Sequence, residues 1–323
     1  MSRNPDSFTN VKATISNIKE CVIVLAERDM TKERAYYSAG YLIVAKRNRE
    51  EWMDDEILPT KVVSASNCIC DSYPHAWGFP NSWRPRGGDV YTISKAIAWP
   101  SGPKPPGRDE IIGDVKDKLN LDRRSFSKLQ KWVKKQYKAK NIEFPNVFLS
   151  LNIAREFHRT YLKHIPDLEL IGMGFSRETI DKYRKDEKRD QMWMVAQRRL
   201  LSEIPDAMVF TEERLEKYMP DERSFEMKES DFLKILVRYE PIDSSGIMLG
   251  FEILGDEGCY NFHSHICNSY EMDLKKELGV TFNENGFIDS YEDANRSTRY
   301  IEQDEDSEPV DWYPCLIARY EFH

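Results

Sequence analysis

A charge-segregated stretch near the middle of the chain limits its folding options more than any other feature. Between Lys116 and Lys140, ten Lys and Arg residues meet only Asp117 and Asp122. That stretch carries +8 in a chain whose formal charge is −8, so the other 298 residues carry −16. Charge at this density stays in water, because an unpaired buried ion costs far more than nearby apolar burial returns. Apolar residues nonetheless recur through the same stretch at helical intervals, as Val115, Leu119, Phe126 and Leu129. The pattern predicts surface helices with one face on a core and the other in solvent.

The skeleton is more specific than the charge. Val115 and Leu119 belong to one helix, Leu121 to a turn, and Phe126 and Leu129 to a second helix N-capped by Asp122. The segment IIGDVKDKLNLDRRSFSKLQKWVKK thus resembles the helix-turn-helix class. Two positions depart from that class: Asn120 replaces the usual turn glycine, and Lys116 stands where a small residue is typical. Asparagine tolerates the left-handed backbone a turn needs, so the first departure is mild. The resemblance implies that Arg123, Arg124, Ser127, Lys128, Lys131, Lys134 and Lys135 face nucleic acid while Phe126 and Leu129 face inward. The competing reading is an amphipathic helix pair whose lysines only solvate one face.

At 323 residues, 40% hydrophobic and 32% charged, the chain has apolar surface for two or three cores. The expected fold class is α+β, with mainly helical N-terminal and central regions and a small C-terminal α+β unit. The expected units are 1–100, with a Pro- and Trp-rich loop; 108–220, with the helix-turn-helix-like segment at 109–140; and an acidic unit at 225–323. Helices are predicted for Val11 to Glu27, for the stripe Ala35, Ala39, Leu42, Ile43 and Ala45, and in succession from Asp109 to about Met219, with Ser176 as one N-cap. Strands are predicted near Val90 to Ile93 and at Phe232 to Tyr239, Ile247 to Leu254 and Tyr313 to Phe322. A helix through Tyr270 and Leu274 is expected to end at Gly279. The six cysteines are too sparse for a disulfide scaffold, and no run approaches the length of a membrane helix. A cytoplasmic protein with free thiols, no membrane contact and no cofactor is expected.

Other chemistry is thinner. Cys259, His263, His265 and Cys267 are zinc-type ligands at a spacing that fits no structural finger. Asp206, Glu226 and Lys228 outline a metal-dependent nuclease, although helix is expected where that chemistry uses a strand hairpin. Arg159 and His164 form a pair of a type that chance alone supplies. P-loop, GxGxxG, HExxH and GxSxG motifs are absent from the sequence. From Glu284 to Glu308, nine carboxylates face two arginines, and Asp304, Glu305 and Asp306 are candidates for meeting a basic protein partner. The texture of LGFEILGDEG through NFHSHICNSYEMDLKKELG resembles small acidic bacterial immunity proteins. The leading expectation is a non-catalytic bacterial binding protein that contacts DNA or RNA through the basic segment. An immunity or defence protein binding a protein partner, and a metal-dependent nuclease, are the competing expectations.

Overall fold

The structure, a computed structural model, describes residues 34–45, 82–83, 91–92, 109, 112–113, 116, 120–139, 142–143, 147–163, 168–204, 210–256, 262–265, 270–304 and 310–323. In chain order the strands are β1 (Tyr36–Ala45), β2 (Ser82–Trp83), β3 (Tyr91–Thr92), β4 (Ile142–Glu143), β5 (Val147–Phe148), β6 (Leu168–Ser176), β7 (Ile247–Asp256), β8 (Phe262–Ser264) and β9 (Asp311–Tyr320). The helices are α1 (Arg123–Lys138), α2 (Leu151–Phe157), which runs on as a π-turn over His158–Leu162, α3 (Arg177–Glu203), α4 (Glu212–Glu216), α5 (Asp231–Leu236), α6 (Tyr270–Leu278) and α7 (Tyr291–Glu302).

Seven strands pair antiparallel in the order β4-β5-β1-β6-β9-β7-β8, and β2 pairs with β3 apart from them. This mixture of helices with an antiparallel sheet is the α+β class expected. β1 comes from segment 1–100, β4 to β6 from 108–220 and β7 to β9 from 225–323, so all three segments supply strands to one sheet.

Alternation of side chains across the sheet explains how its two faces are covered. Ile171, Met173 and Phe175 of β6 and Tyr313, Cys315 and Ile317 of β9 meet α3 and α5 on one face. The opposite face carries two clusters. At its β5–β1 end, Tyr41, Ile43 and Leu170 lie under Phe126, Leu129 and Val133 of α1 and Ala154 and Phe157 of α2. At its β7 end, Phe251, Ile253 and Trp312 lie under α6 and α7.

Three expected elements are corrected. The stripe at Ala35 to Ala45 is strand β1, and Leu168–Ser176, within the run expected to be helical, is strand β6. Burial on both faces of these strands removes the alternation that marks a strand, and an apolar run then matches a helical stripe by coincidence. Gly172 belongs to β6 because a Cβ there would lie 2.6 Å from the Tyr320 ring, so the glycine permits that aromatic to cross the sheet. Phe232 to Tyr239, expected as a strand, opens with helix α5. Ser230 caps it, accepting from the Leu233 N–H at 3.0 Å while its own hydroxyl and N–H donate to Glu187 at 2.8 and 2.6 Å. Ser230→Ala should therefore lower stability by about 1–2 kcal/mol, read as a shift of the urea midpoint. An unchanged midpoint would mean that packing alone holds α5. The helix expected at Val11 to Glu27 lies outside the described residues.

Candidate nucleic-acid interface

Helix α1 is built by local chemistry at its start and by packing along its length. Residues 109, 112–113 and 116 are helical. Asn120 then adopts φ 48°, and the Leu121 N–H donates to the Lys116 carbonyl at 2.8 Å. A left-handed residue followed by a bond spanning five residues is the Schellman ending of a helix. One residue on, Asp122 Oδ1 accepts the Ser125 N–H at 2.6 Å and caps α1. Hydrogen bonds from the Ser125 backbone and side chain hold the Asp122 carboxyl below the usual carboxylate range. Val115 and Leu119, the expected inner face of the preceding helix, lie outside the described residues. Lys116 reaches across to α1, its Nζ 4.7 Å from the centre of the Phe126 ring.

Along α1 the two faces separate cleanly. Phe126, Leu129, Val133 and Gln136 are buried against the sheet and α2. Trp132 packs at the flank on Phe157 and Tyr161, and its indole N–H donates to Glu156 at 2.6 Å. Arg123, Arg124, Ser127, Lys128, Lys131, Lys134, Lys135 and Lys138 are all exposed. At about 100° per residue, these eight positions fall within about 140° of arc, opposite the buried residues. The helix holds seven cations and no carboxylate. Among the described residues none of the seven is in a salt bridge. The structure therefore brings every expected basic residue onto one ridge, and Lys138 extends that ridge beyond the residues singled out from sequence.

The other charged surfaces differ in kind. A cleft of about 680 Å³ between β1 and the start of α3 is lined by Arg34, Arg177, Glu178 and Lys182 among others. Three of its cations are engaged: Arg34 binds Glu178 at 2.8 Å, Lys182 binds Glu302 at 2.6 Å, and Arg177 lies over the Tyr239 ring. Glu226 and Lys228 are exposed on an irregular segment between α4 and α5. Lys228 is tied to α3 there by its backbone, which exchanges bonds with the Gln191 amide at 3.0 and 2.8 Å. Their expected partner Asp206 lies outside the described residues, as does His164, the expected partner of the exposed Arg159. Asp304 is exposed just past α7, while Glu305 and Asp306 lie outside the described residues.

Of the four zinc-type residues, Cys259 and Cys267 lie outside the described residues, and His263 sits in β8. His265 is fully buried, and its Nδ1 is 2.6 Å from Oε1 of Glu252, itself fully buried. Ser264 donates to the same oxygen at 2.8 Å. Burial works against protonation of the imidazole, but the Glu252 carboxylate, aided by Glu271, outweighs it and holds the His265 pKa above its ordinary 6.5. Among the described residues no three His, Cys, Asp or Glu side chains are grouped to hold a metal ion. Sequence reading missed this pair, although Glu252 carries a signal as the one carboxylate inside the apolar run of β7.

Comparison with protein families, with curated proteins and with solved structures finds no match to this chain. Among the described residues no helix is long and apolar enough to cross a membrane.

Proposed function

We propose that this chain is a non-catalytic binding protein that contacts nucleic acid through the outer face of α1, within a helix-turn-helix-like segment spanning 109–140. One observation carries the reading. Seven cations share an exposed arc of a helix whose other side is anchored in the core, and among the described residues none of the seven is in a salt bridge. Lysines that only solvated a helix would commonly alternate with acids at i and i+4, which also support the helix. Here like charges crowd one another, and a row of phosphates relieves that repulsion while releasing condensed counterions. The acidic remainder of the chain repels the same polyanion and so favours approach by this ridge alone.

The test is a mobility-shift titration at about 50 mM salt, where phosphate contacts are strongest. Wild type is compared with a variant carrying Lys128→Gln, Lys131→Gln, Lys134→Gln and Lys135→Gln. Glutamine is nearly as good a helix former as lysine, so the fold should be retained, and circular dichroism checks it. The variant should lose roughly a hundredfold or more in affinity. Failure of wild type to bind, or equal affinity in a folded variant, would transfer the reading to a protein partner met by the acidic residues around Asp304.

A further inference from the structure

Building on the nucleic-acid reading, we infer that the α1 ridge takes double-stranded nucleic acid by its phosphates and reads little of its base sequence. Base readout in a groove uses Asn or Gln on adenine, Asp or Glu on cytosine, or Arg or Lys on guanine. The exposed arc of α1 has no Asn, Gln, Asp or Glu. Its one neutral polar group, the Ser127 hydroxyl, donates to the Arg123 carbonyl at 2.9 Å. Five of the seven cations are lysines, which act as point charges without the geometry of the arginine fork.

Position along the helix points the same way. A recognition helix meets bases with its N-terminal residues, whereas these cations run from Arg123 to Lys138, a length of about 22 Å. Cations spread over that length suit a line of phosphates. Asp122 already accepts the Ser125 amide at the N-terminus of α1, and the exposed side chains are left to hold the anion. Single strands are gripped by aromatic platforms on which bases stack. Among the described side chains the arc bears no aromatic, and neighbouring Trp132 and Tyr161 pack on each other and on Phe157.

The experiment titrates the full chain against short labelled duplexes of unrelated sequence, as DNA and as RNA, and against the matching single strands. A specific reader favours its site by about a thousandfold or more, whereas less than about threefold between duplex sequences is expected here. Each neutralised phosphate contributes a slope of about −0.9 in log affinity against log salt, so seven cations allow a slope of up to roughly −6. Binding should then weaken by up to about four-thousandfold between 50 and 200 mM salt. The DNA and RNA arms tell which duplex backbone is taken, and tighter binding to either duplex than to single strands bears the inference out. Preference for one sequence or for single strands would overturn it and leave the nucleic-acid reading standing. Absence of binding to every probe would remove both.

Discussion

Glu252→Ala should cost about 3–5 kcal/mol of folding stability, because it removes one member of a buried pair and leaves the His265 Nδ1 without its partner. Both side chains are inaccessible to solvent, and the Glu252 Oε1 to His265 Nδ1 distance is 2.6 Å. The loss should appear as a large drop in urea midpoint. Combining Glu252→Met with His265→Phe should recover much of it, since an apolar pair of similar volume removes both charges together. If the double variant is no better than Glu252→Ala alone, packing and not charge is at stake.

The same pair sets a pH dependence. A histidine whose folded pKa lies above 6.5 gives its full stabilisation below that value and loses it as pH rises through the folded pKa. Burial also raises the carboxyl pKa of Glu271, against the lowering effect of His265, which makes the cluster less favourable in the same direction as pH rises. Stability measured by urea unfolding should therefore decline on the alkaline side, and His265→Gln should flatten that decline. An equal slope in the two proteins would contradict the assignment.

Gly250→Ala is expected to cost about 3 kcal/mol or more, from backbone strain and overpacking together. Gly250 sits at the bulge where the β7–β9 register shifts, with φ +128°. A Cβ there would lie 2.7 Å from the Phe287 Cβ and 2.8 Å from the Ile288 carbonyl, atoms that no side-chain rotation can move away. Gly279, which ends α6 at φ +65° with nothing within 4 Å, is the control. Gly279→Ala should cost only about 1–2 kcal/mol. Similar losses at the two sites, compared by urea midpoint, would show that the close contacts do not matter.

How far sequence could reach depends on the range of the interactions involved. The end of the preceding helix at Asn120, the caps at Asp122 and Ser176, the stop at Gly279 and the amphipathic face of α1 join residues within one or two turns, so they were legible as spacing. The basic ridge was legible for the same reason, since one helix carries all its cations. Glu252 and His265 lie thirteen residues apart and meet only through the β7–β8 pairing. In sequence, His265 therefore groups with Cys259, His263 and Cys267 as a zinc-type ligand, because the carboxylate beside its Nδ1 is out of view.

Sequence by itself determined α1: where it begins, what caps it, and which arc faces water, because backbone geometry dictates contacts between residues three and four apart. Only the tertiary structure decided that Tyr36–Ala45 and Leu168–Ser176 are strands, since each is apolar on both faces and becomes a strand by finding the other across the chain. The physical reason is that burial on two sides erases periodicity. The information then resides in the partners, among them Tyr41 and Tyr320 crossing at Gly172, and not in the order of residues along either strand.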